Sequence, residues 1–229
     1  MLFGDLNLSK VVLELKYDEG HLYWDKCGET IFDIQKKFPG WKWNGTSTEL
    51  AKLKNLNKNI ELEFNFSYIR FTQNEVDNLK RFKESTRLIA PLIAGKFKIK
   101  KFKRIGNRYQ YVLPLENQDQ GKKIVHDSPL VDIAEEKLAL FGKNSKKFSF
   151  VVYIENENLH YRIELVGVER VELSKNIKLD ERFNPRYGLR VDVDIANINE
   201  IELSSFNISD FIQKNKKFLE NNLVDLIQK

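Results

Sequence analysis

Apolar and polar side chains alternate without interruption from Ile60 to Tyr68, and this pattern constrains the fold more than any other in the chain. Successive side chains of a strand point to opposite faces of a sheet. One face of this segment is therefore predicted to be buried and the other to meet water or a partner. Thr72 and Glu75 follow at the spacing of a capping box, which predicts a helix from this point to Gly95.

The rest of the chain mixes strand and helix periodicity. Alternation predicts a strand at Val11–Tyr17, and helical spacing predicts a helix from Tyr23 to Phe38. In the second half, a helical pattern from Ser128 to Gly142 precedes alternating segments and a final amphipathic helix. Both types of element, joined by hairpin signals, indicate an α+β fold rather than a parallel doubly wound sheet.

The order of elements also predicts a division of the chain. Residues 1–116 follow the order strand, helix, strands, helix, strand, which is that of a ferredoxin-like split βαβ unit. Residues 117–127 are polar, contain Gly121 and are predicted to be a linker. Residues 128–229 are then predicted to form an antiparallel α+β half that ends in a helix.

Composition excludes several classes of protein. Among 229 residues there is a single cysteine, Cys27, so an internal disulfide cannot form, and three dispersed histidines argue against a zinc site. No stretch approaches the roughly 18 apolar residues that span a bilayer, and no signal-peptide pattern is present. We therefore predict a cytoplasmic bacterial or archaeal protein without a membrane partner.

No catalytic set is evident in the sequence. There is no Gly-rich phosphate loop, and neither a serine–histidine nor a cysteine–histidine motif stands out. We predict no catalytic residues and no cofactor, and the sequence leans against an enzyme. The net charge of +5 permits contact with nucleic acid without requiring it.

A basic segment is the first candidate site. If Lys96 to Leu115 formed one unbroken strand, its cations of one parity would line one face and could track a phosphate backbone, while Phe102 stacked on a base. The alternative is a charged edge strand that prevents aggregation, for which lysine is the usual choice. The candidate nucleic-acid residues are Lys96, Lys98, Lys100, Phe102, Arg104 and Arg108.

A second candidate lies late in the chain. Asp192 and Asp194 share one face of a predicted strand, and two carboxylates on one face can hold Mg²⁺. Arg190 lies beside them, so the alternative is a solvated strand face with Arg190 paired to Asp192.

The final amphipathic helix, which carries Phe211 and Phe218, is a third candidate. Its apolar side is predicted to cover the second part of the sheet or, less readily, to pack against a second copy in a homodimer.

Three segments together resemble a sporadically distributed family of uncharacterised bacterial proteins of about this length. They are Val11–Tyr17, the run Arg104-Ile105-Gly106-Asn107-Arg108-Tyr109, and Leu189–Asp194 before the final helix. The resemblance implies that Arg104, Gly106, Arg108 and Tyr109 form a structural turn or an interaction site. The patchy distribution of that family implies a bacterial defence or mobile-element neighbourhood.

The sequence thus favours a non-enzymatic interaction or accessory protein that binds a protein partner or itself. The alternative is an RNA- or DNA-binding protein, RNA processing included, that uses the basic segment from Lys96 to Arg108.

Overall fold

The computed structural model describes residues 3–18, 20–47, 49–128, 149–156, 158–170 and 180–227. These residues contain both α-helices and a large antiparallel sheet, which confirms the α+β class. The described α-helices are α1 Leu22–Lys37, α2 Leu79–Lys96, α3 Gln118–His126 and α4 Ile208–Ile227. None of them is long and apolar enough to cross a membrane. Short 3₁₀ helices lie at Phe3–Asp5, Leu56–Lys58 and Leu203–Ser205.

The strands are β1 Asn7–Lys16, β2 Trp41–Thr46, β3 Ala51–Asn55, β4 Ile60–Phe64, β5 Tyr68–Asn74, β6 Lys101–Phe102, β7 Arg104–Leu115, β8 Ser149–Asn156, β9 Leu159–Glu169, β10 Tyr187–Asn197 and β11 Ile201–Glu202. Nine of them form one sheet in the order β2-β3-β4-β5-β1-β7-β10-β9-β8, and β6 pairs with β11. All neighbouring strands of the large sheet are antiparallel. Among the described residues β2 and β8 are its edges.

One face of this sheet carries the hydrophobic core. Val11, Leu13 and Leu15 of β1 point to that face and are fully buried. Each such aliphatic side chain contributes about 1.5–3 kcal/mol by leaving water. Helices α1, α2 and α4 add buried residues such as Ile34, Phe82 and Ile212 to the same core. The opposite face carries the side chains of the other parity, and we call it the open face.

The prediction of a single strand from Ile60 to Tyr68 was wrong, because this segment forms a β-hairpin. Strand β4 ends at Phe64 and β5 begins at Tyr68. The Asn65 side-chain oxygen accepts hydrogen bonds from the backbone N–H groups of Ser67 at 2.8 Å and Tyr68 at 2.9 Å. This Asx turn reverses the chain, and the regular alternation concealed it because Phe66, an apolar residue, occupies the turn.

The predicted helix start at Thr72 was also wrong. Thr72 lies in β5 and pairs with Val12 of β1, so the backbone here belongs to the sheet ladder. Helix α2 starts at Leu79, where the Asn78 side chain accepts a hydrogen bond from the Lys80 N–H at 2.9 Å. Asn78 therefore performs the capping role predicted for Thr72. The helix also passes through Gly95 and ends at Lys96.

Residues 118–126, which were predicted to belong to a linker, form α3. This helix packs on β9, and its Gly121 lies close to Gly167 of that strand. Strands β7 and β10 pair from Leu115 opposite Tyr187 to Ile105 opposite Asn197. One sheet therefore runs through both predicted halves. The helix predicted from Ser128 to Gly142 lies, apart from Ser128, outside the described residues.

Removing the cap of α2 should destabilise the fold. Asn78→Ala deletes the acceptor for the Lys80 N–H, so we expect the free energy of unfolding to fall by about 1 kcal/mol in urea titrations. Asn78→Asp keeps an acceptor and should retain the wild-type stability. Equal stability of Asn78→Ala and wild type would contradict this assignment of the helix start.

Candidate functional site

The predicted basic segment does not form one unbroken strand. Lys96 ends α2, and Lys98 has a left-handed backbone with φ of 55° in the connection that follows. Only Arg104 and Arg108 belong to β7, while Lys100 lies between α2 and β6. The parity argument fails because the chain turns at Lys98 rather than continuing extended.

Two residues of the basic segment, Lys96 and Phe102, are not placed to contact a phosphate backbone or a base. Lys96 pairs with Glu29 and Asp33 of α1, and its hydrogen bonds lower the pKa of Glu29 to about 2, with help from Lys26, and also lower the pKa of Asp33. Phe102 is fully buried in the core, so its ring is not exposed for a base. Lys96 thus links α2 to α1 through ion pairs.

Arg104 crosses the open face and joins three strands. Its guanidinium donates to Glu14 of β1 at 3.1 Å and to Asp194 of β10 at 3.1 Å. Gly106 lies under this side chain, since a Cβ there would stand 2.7 Å from the Arg104 Nη1. The implied turn at Gly106 is wrong, because Gly106 is inside β7 and pairs with Glu14 and Ala196.

Arg108 holds the most deeply buried carboxylate of the open face. It donates through Nε to Asp192 at 2.7 Å and through Nη2 to the same group. Gln110 adds a third hydrogen bond to Asp192 at 3.1 Å. The Asp192 side chain is 0% exposed, and its hydrogen bond raises the pKa of Arg108.

The two aspartates of the predicted metal site lie on one face, as the sequence indicated, but each is bound to an arginine. Asp192 pairs with Arg108 and Asp194 with Arg104. Within the described ranges, no group of three or more histidine, cysteine, aspartate or glutamate side chains is placed to hold a metal ion. In the structure the two aspartates therefore accept hydrogen bonds from arginines of β7 and form ion pairs between strands.

The remaining predicted interaction residues fix the last helix. The buried Tyr109 hydroxyl donates to the Ile212 carbonyl of α4 at 2.6 Å, and burial raises the pKa of Tyr109. Phe211 packs on Phe206, and Phe218 packs on Tyr161 of β9 with ring centroids 5.6 Å apart. Helix α4 therefore covers the sheet, the preferred of the two alternatives, and leaves Phe218 half exposed.

The sequence analysis missed an apolar groove between α1 and the edge strand β2. Its volume is about 590 Å³. Trp24, Gly28, Ile31 and Gln35 recur at helical spacing along the α1 wall, and Trp43 stands on the β2 side. Trp24 is 58% exposed and Trp43 is 61% exposed. Cys27 also lines the groove, and burial raises the pKa of its thiol.

A close backbone contact positions this groove. A Cβ on Gly20 would stand 1.8 Å from the Phe66 carbonyl oxygen, so only glycine lets the β1–α1 turn approach the β4–β5 turn. The Tyr17 hydroxyl donates to the Asn65 carbonyl across the same contact. As a result the Trp24 ring stacks on Phe66 with centroids 5.5 Å apart.

A sequence signal for the groove existed. The helical pattern from Tyr23 to Phe38 predicts one apolar stripe that includes Ile31, but Trp24 and Gly28 form a second stripe that shares Ile31 with the first. Two stripes on one helix indicate that it faces both a core and another apolar surface.

No protein-family model matches the chain, and no curated protein matches its sequence. The assignment of a function therefore depends on the physical character of these surfaces.

Breaking the Arg108–Asp192 pair should be costly. Arg108→Ala leaves a buried carboxylate with Gln110 alone, and we expect a loss of about 2–3 kcal/mol in chemical denaturation, below the full range for a buried pair because Arg108 is half exposed. Lys52→Ala, which breaks the more exposed pair with Glu63, should cost less than about 1 kcal/mol. Similar losses in the two variants would show that Asp192 is not buried as described.

Proposed function

We propose that this protein is a binding module that captures an extended apolar segment of a partner protein in the groove between α1 and β2. The observation that carries the proposal is the pair of exposed tryptophans, Trp24 and Trp43, on the walls of one apolar groove. The lining residues carry no formal charge, so the groove suits an apolar ligand rather than a phosphate.

The chemistry of the groove supports a protein ligand. Tryptophan is enriched among the residues that dominate binding energy at protein interfaces, and contiguous exposed apolar surface commonly marks such interfaces. Phe66 extends the patch beyond the groove through its stacking on Trp24 and is itself 41% exposed. Burial of these rings by a partner would remove apolar surface from water at little cost in side-chain entropy.

The position of β2 favours an extended ligand. Among the described residues β2 pairs only with β3, and alternate backbone groups of an edge strand point away from the sheet. A peptide can add a strand there and place alternate side chains into the neighbouring groove. The register of β2 shifts after Trp43, so pairing would involve Trp41 to Trp43.

We also propose that the first part of the chain is a ferredoxin-like split βαβ unit into which β2 and β3 are inserted. The neighbour order β4-β5-β1-β7, with α1 following β1 and α2 following β5, supports this interpretation. Membership of the sporadically distributed bacterial family, a role in defence and a homodimeric state remain predictions of the sequence.

Filling the groove should prevent capture of the partner without unfolding the protein. A Cβ on Gly28 meets nothing within 4 Å, and leucine has the higher helix propensity, so Gly28→Leu should fold and occupy the groove. We expect peptides selected from a random phage-displayed library on the wild type to bind Gly28→Leu at least ~10-fold more weakly in calorimetry.

Gly95→Leu is the matched control, because Gly95 is a helical glycine of α2 with equally open space and lies outside the groove. It should bind the selected peptides like the wild type. Failure to select any peptide, or equal binding to both variants, would refute the proposal. A wild-type dimer that becomes a monomer in Gly28→Leu would identify a second copy as the occupant.

Nucleic-acid binding is the second candidate, and one observation favours it. Lys98 and Lys100 are exposed and form no ion pair with any described residue. Lys101 and Lys103 are exposed beside them, although each pairs with acidic side chains. This lysine cluster replaces the unbroken basic strand as the surface on which a phosphate backbone could lie.

Reversing two charges of this cluster tests the alternative. Fluorescence anisotropy with labelled single-stranded RNA, duplex RNA and duplex DNA should show salt-dependent binding that is lost in Lys98→Glu/Lys100→Glu. Lys214→Glu/Lys217→Glu, an equal charge change on the exposed side of α4, should keep the affinity. Absence of binding at low salt would exclude this candidate.

A further inference from the structure

A second cleft, distinct from the groove, lies on the open face over β1, β7, β9 and β10. Its volume is about 490 Å³, which suits a small molecule. Residues 183–185, which precede β10, form one of its walls.

Irregular backbone shapes the floor of this cleft. The pairing of β1 with β7 shifts register between Leu8 and Lys10, which leaves Ser9 in a bulge. Glu75 has a left-handed backbone with φ of 51°, and its N–H donates to the Ser9 carbonyl at 2.7 Å. The Glu75 carboxylate accepts from the Asn184 side chain at 3.1 Å and so fixes the wall to the floor. Strained and bulged backbone at one place is a feature of binding sites.

Three cations of the open-face parity line the cleft: Lys10, Arg170 and Arg190. Lys10 forms no ion pair with any residue that the structure describes. The buried Nε of Arg190 has no hydrogen-bond partner among the same residues. The Arg190 Nη2 lies 3.7 Å from Glu164, a carboxylate that Arg162 already binds at 2.8 Å. A buried N–H without a partner is costly, so the Arg190 side chain at the cleft would gain stability from an anion that reached it.

Two carboxylates, Glu75 and Glu169, also line the cleft, so its three cations leave a net lining charge of +1. The Glu75 carboxylate already accepts the Asn184 hydrogen bond, and Glu169 belongs to the opposite parity of β9 from Arg170. Arg170 donates to the Asn184 carbonyl at 2.6 Å and has only a long contact of 3.9 Å with Glu181. The described surroundings of the cleft therefore favour a negative ligand.

The other walls are apolar. Val112, Val168 and the buried Phe183 line the cleft beside the cations. Amide side chains of Asn74 and Gln110 complete the lining with neutral hydrogen-bonding groups. A ligand that fills the cleft would thus combine a charged end with an apolar body.

We propose that this cleft binds a small organic anion, with a phosphate or carboxylate group held by Lys10 and Arg190 and an apolar body against Val112, Val168 and Phe183. The site is independent of the protein-binding groove, since the two share no lining residue.

Phenyl phosphate, benzoate and inorganic phosphate are suitable probes, because they separate the two head groups and the contribution of the ring. Titration of the isotope-labelled full chain should give saturable NMR shifts at the amides of Ser9, Asn74, Gln110 and Arg190, with dissociation constants below about 10 mM. We expect phenyl phosphate or benzoate to bind more tightly than inorganic phosphate, which lacks the ring.

Lys10→Met and Arg190→Met should each weaken binding at least ~10-fold. Lys214→Met, which removes an equal charge from the exposed side of α4, should leave the affinity unchanged. Lys10 forms no ion pair with any described residue, so its variant should fold even where Arg190→Met does not. The proposal is overturned if none of the probes shifts these amides saturably, or if Lys10→Met binds them as tightly as Lys214→Met.

Discussion

Strand β1 holds the molecule together, because it pairs with β5 on one side and with β7 on the other, and β7 pairs in turn with β10. Its register is fixed from both faces of the sheet. A slip by one residue would exchange the buried Leu13 for the charged Glu14 and would separate Glu14 from Arg70 and Arg104. The core on one face and the ion pairs on the other therefore select the same alignment.

Most charged side chains of the open face are paired across strands, although Lys16 pairs with Glu14 within β1 and Arg162 with Glu164 within β9. Most of these pairs are partly exposed, and such pairs contribute little to the free energy of folding. Their larger effect is to neutralise the cations that a basic sequence would otherwise present. Arg104 and Arg108 are the clearest examples of such neutralised cations, since each donates hydrogen bonds to an aspartate distant in sequence. Among the described residues, Lys98 and Lys100 after α2 and Lys10 in the cleft are cations that no carboxylate engages in this way.

Both proposed binding sites arise where the backbone departs from regular structure. Gly20 lets two turns approach closely enough for Trp24 to stack on Phe66, and this contact sets the wall of the groove beside β2. The bulge at Ser9 and the left-handed Glu75 shape the cleft over β1. In each site a regular strand or helix forms a wall, and an irregular connection determines the size of the cavity beside it. The two sites can therefore be perturbed separately.

The sequence by itself determined that β1, α1, β10 and α4 form as strands and helices, because the periodicity of each segment belongs to a single element. These patterns are local, since each follows from the spacing of apolar side chains in a single element. The turn at Asn65 and the cap at Asn78 were missed because competing local patterns ran across them. Only the tertiary structure determined which charged residues form ion pairs. Glu14, Arg104 and Asp194 belong to three strands far apart in the chain, and only the pairing of those strands brings them within hydrogen-bonding distance.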